Sequence, residues 1–379
     1  MSLRRLTLPT VLSLALLAPS RADAAAMYTV TNLGNFGPQS INAQGMVAGD
    51  VPFGVAVYSG YGPNAGRIVP IPDSYDARGI NASGQVLSSA PTGSMIVSLD
   101  GATKLVSNSY VIAINDSGEL VGTSLNGGVN YHAFAQNGTR LTDLGTLGGP
   151  SSGAFGVNAY GQVVGAADLP PNNPANPTYH ESHAFLYSNG KMTDLGSLGG
   201  SSSSAVAINA AGQVAGTSVI TGGDQVLGIT RTDFMYNPSH AFLYTGGKMT
   251  DLGTLGGDYS AATALSSSGQ VIGNSLVSGG YATSIQHAFL YSEGMLHDLN
   301  ALIPPGLGWT LISASGINDA GQIVGEATDS SGKEFGYLLT PDGQVAPTPP
   351  ATPEPASLAF FGVLAVGLGV RLVRRRRAD

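Results

Sequence analysis

The sequence predicts an all-β protein: a seven-bladed β-propeller of four-stranded blades, followed by a C-terminal transmembrane helix. Three observations predict it. A phrase close to "INAAGQVAG" returns seven times, and a second phrase, "HAFLYSNGKMTDLG", returns four times between copies of the first. The chain then closes on a proline-rich spacer, an apolar run and an arginine cluster.

The first phrase reads "INAQGMVAG" from 41, "INASGQVLS" from 80, "INDSGELVG" from 114, "VNAYGQVVG" from 157, "INAAGQVAG" from 208, "LSSSGQVIG" from 265 and "INDAGQIVG" from 317. Periods near 40 to 50 residues mark propellers and solenoids. In "INAAGQVAG" the Asn209 side chain suits the first position of a type I turn, and Gly212 supplies positive φ three residues on. A tight hairpin with a glycine bulge is expected there. Gly216 relieves crowding where strands converge.

The second phrase is a second hairpin. His183, Phe185 and Tyr187 face one way, and Ala184 and Leu186 face the other. Asn189-Gly190 is the strongest short hairpin signal. Two hairpins give four strands per repeat, and residues 27–346 shared among seven repeats give about 46 residues per blade. "TVTNLG" at 29–34 aligns with "KMTDLG" at 191–196, so the N-terminal strand is expected to complete the last blade and remove an open edge.

His183-Ala184-Phe185 and its copies resemble the signature of the HAF extracellular repeats of bacteria, over most of residues 130–330. The first two repeats depart from it, with "GVAVYSG" and "GSMIVSLDG" in its place. The resemblance implies a repeated secreted module and transfers no activity.

Both ends carry processing signals. Residues 1–24 have the basic, apolar and small-residue parts of a signal peptide, with Arg4 and Arg5 first and "ADA" at 22–24 or "AAA" at 24–26 for signal peptidase. No cysteine is present, which excludes thiol catalysis, cysteine-ligated metals and disulfides. Residues 347–355 form a proline-rich linker ending in Pro353, Glu354 and Pro355. Residues 356–379 read as a transmembrane segment with an arginine-rich cytoplasmic tail.

That order of motif, short span and arginine cluster resembles the PEP-CTERM sorting signal. The resemblance implies a Gram-negative bacterium, transient anchoring in the inner membrane, cleavage by an exosortase, and association with exopolysaccharide. Removing both ends takes away eight arginines and three acidic residues, so the net charge moves from −8 to −13. That balance argues against nucleic acid as a partner.

His132, His183, His240 and His287 hold one equivalent position in four repeats, as do Asp143, Asp194, Asp251 and Asp298. A catalytic residue is needed once, so these read as parts of each repeat's own bonding. No metal, phosphate-loop or nucleophile-elbow motif appears, and no cofactor or catalytic residue is assigned. No pair of carboxylates is singled out for glycosidase chemistry.

The repeats differ most in three insertions, at 166–182, 217–239 and 274–286, between the second and third strands of blades four to six. They open on the face opposite the tight hairpins, with "NALIPPGLGWT" beside them. Insertions gathered on one face mark a binding face. The expected ligand surface comprises Tyr179, His180, Arg231, Asp233, Tyr236, Tyr281 and Trp309, whose rings and polar neighbours suit a sugar chain.

The expected function is therefore that of an exported, non-catalytic binding or structural module of the cell surface or extracellular matrix. The alternative is a polysaccharide-processing enzyme with its active site on the long-loop face.

Overall fold

The structure, a computed structural model, describes residues 27–343 apart from 61–65, 72–73, 91–92, 100–101, 108–109, 127–128, 172–179, 222–237 and 279–284. It begins with β1 (Tyr28–Gly34). The first sheet comprises β2 (Gly37–Ile41), β3 (Met46–Val51), β4 (Gly54–Ser59) and β5 (Arg67–Ile71). The second holds β6 (Ala77–Ile80), β7 (Val86–Ala90), β8 (Gly93–Val97) and β9 (Thr103–Ser107). The third holds β10 (Tyr110–Ile114), β11 (Leu120–Asn126), β12 (Asn130–Asn137) and β13 (Arg140–Gly145).

One eight-stranded sheet follows. It contains β14 (Ser152–Val157), β15 (Val163–Asp168), β16 (Ser182–Ser188) and β17 (Lys191–Asp194), then β18 (Gly199–Ile208), β19 (Val214–Ile220), β20 (Ser239–Thr245) and β21 (Lys248–Asp251). Next come β22 (Ser260–Leu265), β23 (Val271–Leu276), β24 (Gln286–Ser292) and β25 (Met295–Asp298) in a four-stranded sheet. Finally β26 (Trp309–Ile317), β27 (Ile323–Asp329) and β28 (Glu334–Pro341) take β1 as their fourth strand.

These strands form a β-propeller, but the expectation of seven separate blades and a transmembrane helix is corrected. Among the described residues the hydrogen-bonded sheets are five of four strands and one of eight. The eight-stranded sheet arises because β18 starts early, in "GGSSSS", and pairs parallel with β16 at Ser202 and Ser182. Glycine and serine there carry too little side chain to hold the two backbones apart. Among the described residues the sole helical element is a 3-10 turn, Leu299–Ala301, and no helix is long and apolar enough to cross a membrane. The signal peptide, the linker with Pro353, Glu354 and Pro355, and the apolar run at 356–379 lie outside the described residues.

The hairpins form for the reasons legible in their residues. Asn209 Oδ1 accepts from Gln213 N at 3.0 Å, and Gly212, at φ +76°, donates its N–H to Asn209 O at 3.0 Å. Asn189 and Gly190 both have positive φ, 53° and 77°, the pairing a type I′ turn requires. A Cβ at Gly216 would run into the Ser204 carbonyl and the Phe242 ring, so the strand crossing admits glycine alone.

Packing lies in the seams between successive sets of strands. Phe134, Phe185, Phe242 and Phe289, one from each HAF copy, are fully buried. Alternation sends neighbouring side chains into different seams. Phe185 joins Val121, Ala133 and Leu144 on one side, whereas Ala184 joins Val214, Ala205 and Phe242 on the other. Alanine at this position makes room for the phenylalanine of the next repeat. Tyr337 takes the phenylalanine's place in the last sheet, fully buried, with its hydroxyl donating to Ser313 O at 2.7 Å. Burial raises that hydroxyl's pKa.

The N-terminal strand closes the circle as its alignment predicts. β1 runs antiparallel to β28, Tyr28 opposite Pro341 and Thr31 opposite Leu338. Met27 N also donates to Leu302 O, which fixes the start of the strand.

Candidate functional site

The repeated histidines are paired. His132, His183, His240 and His287 each place Nδ1 against a carboxylate, of Asp143, Asp194, Asp251 and Asp298, at 2.7 to 2.9 Å. The same aspartates accept the backbone N–H two residues on: Gly145, Gly196, Gly253 and Asn300. Each pair joins the strand carrying the histidine to its return strand and caps the following turn. At Asp298 burial pushes the carboxyl's pKa up, but hydrogen bonds from His287 and Asn300 outweigh it and hold the group below its ordinary value.

The asparagines of the first phrase form a ring. Asn42 Nδ2 donates to Asn81 O, Asn81 to Asn115 O, Asn115 to Asn158 O, Asn158 to Asn209 O, and Asn209 to Ser266 O, at 2.9 to 3.3 Å. Asn318 Nδ2 completes it by donating to Asn42 O at 3.1 Å. Ser266 is too short to continue the pattern. There Ser267 N instead donates to Asp319 Oδ1 at 3.0 Å. Asn42, Asn115 and Asn318 of this ring line a cavity of about 320 Å³ at one end of the axial channel.

Three residues before each ring position lies a second layer, and all of it lines one cavity of about 440 Å³. Going around, Thr263, Ser315, Gln39 and Arg78 form a polar arc, and Ile112, Phe155 and Val206 an apolar one. The polar arc bonds adjacent inner strands together. Thr263 Oγ1 donates to Ala314 O at 2.7 Å, Ser315 Oγ to Pro38 O at 2.5 Å, and Arg78 Nη1 to Val111 O at 3.0 Å. Gln39 acts through Asp50, whose carboxylate takes Gln39 Nε2 at 3.0 Å and Ala77 N at 2.8 Å.

Two carboxylates lie near the start of β2: Asp50 on β3, paired in register with Gly37, and Glu326 on β27. Glu326 Oε1 and Asp50 Cβ both lie within 4 Å of the point where a Cβ on Gly37 would sit. Burial raises the pKa of both. For Asp50, bonds from Ala77 and Gln39 partly oppose burial, and Asp76 adds repulsion. For Glu326, repulsion from Glu334 and Asp50 adds to burial. Among the described residues no group of histidines and carboxylates is arranged to hold a metal ion.

Of the residues expected to touch a ligand, two are described. His180 Nδ1 lies 3.0 Å from Leu169 O, a bond within its own loop. Trp309, half-buried, meets Phe335 edge-on with centroids 4.7 Å apart and packs on the core of the last sheet. No hydrogen bond or ring contact among the described residues joins the two. Tyr179, Arg231, Asp233, Tyr236 and Tyr281 lie outside the described residues. The insertions do fall where the repeat placed them, between β15 and β16, β19 and β20, and β23 and β24.

The channel layer, Asp50 and Glu326 escaped the sequence reading. Read down the repeat, the layer position is Gln, Arg, Ile, Phe, Val, Thr and Ser, and its variability hid it. Comparing repeats for what differs, rather than what recurs, would have exposed it.

No family model and no curated protein matches this chain. The fold is similar to that of the β-propeller domain of the trilobed protease from Pyrococcus furiosus, with a TM-score of 0.51 and 9% identity over 85% of this chain and 95% of that one. That domain is described as having an open velcro topology, whereas here β1 pairs with β28. A gluconolactonase from Xanthomonas campestris aligns at a TM-score of 0.38 and 11% identity, covering 85% of this chain and 93% of that one. The tricorn protease aligns at 0.47 and 11%, covering 83% of this chain and 34% of that one. At these identities the likeness to the first establishes a β-propeller and nothing about activity.

Proposed function

We propose that the protein is an exported, non-catalytic binding or structural module, sorted by an exosortase to the cell surface or extracellular matrix of a Gram-negative bacterium and associated there with exopolysaccharide. The observation that carries the non-catalytic reading is the pairing of all four repeated histidines with aspartates that also cap turns. Groups that resemble chemistry in the sequence are engaged in holding strands together. The long insertions on one face supply the ligand surface. Retention of the protein on purified matrix polysaccharide, lost on Tyr236→Ala with Arg231→Ala, is the expected result; a protein that washes through the polysaccharide unretained contradicts it. Intact mass of the protein from culture medium reads the two processing steps, with loss of residues 1–24 and of the chain beyond the Pro353-Glu354-Pro355 region expected.

A second reading has one observation in its favour. Asp50 and Glu326 are neighbouring carboxylates with raised pKa values on the long-loop face, a setting that suits a general acid. A polysaccharide-processing enzyme built on them would release reducing ends from matrix glycan, and Glu326→Gln would abolish that release. Absence of any product from the unmodified protein removes this reading.

A further inference from the structure

We propose that Arg78 and Tyr110 form a docking site for a uronic acid chain at the long-loop end of the axial channel, one residue's carboxylate meeting Arg78 and a neighbouring residue's ring stacking on Tyr110. Among the described residues lining the 440 Å³ cavity, Arg78 is the one that is charged. In a chain of net charge −8 it makes no ion pair with any described residue. One of its five N–H donors goes to Val111 O. The others remain for a ligand, and a guanidinium fork matches a carboxylate in two-point geometry.

Tyr110 supplies the second half. The guanidinium carbon lies 4.2 Å from its ring centroid, which fixes one ring face. The residue is nevertheless 60% exposed, and with Arg78 on one face of the ring the other face is the one left for a ligand. An aromatic face stacks against the C–H face of a pyranose. Nearby carboxylates do not neutralise the arginine. Asp50 is held by Ala77 N and Gln39 Nε2, and Asp76 accepts from Ser89 Oγ at 2.8 Å. Their charge disfavours bare anions and leaves the advantage to a ligand that also stacks. Next to the arginine around the channel, Ile112 and Phe155 offer the apolar wall a sugar ring requires.

This site deepens the glycan-binding reading and rests on it for the ligand class, though it uses different residues. The test is calorimetric titration of the full chain with a uronic acid tetramer, a neutral glucose tetramer and acetate. The tetrauronate binds with a Kd of about 1 mM or tighter, and the other two at least about tenfold more weakly. Arg78→Gln weakens tetrauronate binding about tenfold and Arg78→Lys by less, because lysine keeps the charge but not the fork. Tyr110→Ala, at an exposed position, weakens it about fivefold and leaves the melting temperature unchanged. Equal binding of the neutral tetramer, or tetrauronate binding unaltered in both Arg78→Gln and Tyr110→Ala, overturns the site. Matrix retention that persists in Arg78→Gln while tetrauronate fails to bind the unmodified protein overturns this site and leaves the proposed function standing.

Discussion

Asn318 donates its side-chain amide to the backbone carbonyl of Asn42 at 3.1 Å, across 276 positions of sequence. The bond repeats, between the first and last repeats, what Asn42 does to Asn81 and each later asparagine does to its successor. Closure is therefore written twice, once in this ring and once in the pairing of β1 with β28.

Removing the closing member should be costly. Asn318 is buried, and its Oδ1 also accepts from Gln322 N at 3.0 Å. Asn318→Ala strands buried polar groups on both sides, a loss of about 1–3 kcal/mol. The converse change tests the same idea. Ser266→Asn supplies the missing amide and is expected to stabilise by about 0.5–1 kcal/mol. Urea midpoints of the two variants and the parent measure both effects.

The depressed pKa of Asp298 carries a pH signature. Its folded value lies below the ordinary 3.8, so its stabilising contribution is present above 3.8 and is lost as pH falls through the folded value. The parent should lose stability more steeply than Asp298→Asn as pH drops below 3.8, as read by thermal melting in acid. Parallel acid profiles for the two proteins would contradict the assigned role.

Glu326 predicts the opposite sign. Its folded pKa is raised above 4.5, so the folded state binds its proton more tightly than the unfolded chain. Stability should rise as pH falls toward 4.5 from above, and the charged form is a burden at neutral pH. Glu326→Gln should raise the melting temperature at neutral pH and flatten that part of the profile. A variant that melts lower at neutral pH would show that the carboxylate is favourably engaged.

The strand crossings should refuse any side chain. Gly216→Ala drives a methyl into the Ser204 carbonyl and the Phe242 ring, at a cost of about 1–3 kcal/mol. Gly60, which has open space around it, is the control, and Gly60→Ala should be neutral. Denaturation midpoints of the two variants decide it.

Local chemistry made the hairpins legible. Asn189-Gly190 and the Asn209–Gly212 turn require left-handed backbone, and the residues announce it. The meeting of the two ends was legible because "TVTNLG" reads like the returning strand of a repeat. The fusion of β14 to β21 into one sheet was not, because it depends on how closely two backbones approach at Ser182 and Ser202. Arg78 and Glu326 were hidden for a related reason. Their setting is made by residues from neighbouring inner strands and from opposite ends of the chain, which no local pattern records. Trp309, chosen as the lone tryptophan in a loop-rich region, packs against Phe335, since a large ring beside an apolar edge gains more by burial than by exposure.

The most direct test of the closed ring uses the absence of cysteine. Thr29 and Thr340 are direct partners across β1 and β28, with Thr29 Oγ1 donating to Thr340 O at 3.1 Å. Directly paired strand positions fall within the Cα spacing a disulfide requires. In Thr29→Cys/Thr340→Cys, the chain's sole two thiols should oxidise to an intramolecular disulfide in the folded protein, read as the loss of two hydrogen masses and of thiol reactivity. Two thiols that stay free and reactive in the folded double variant would contradict closure by the pairing of β1 with β28.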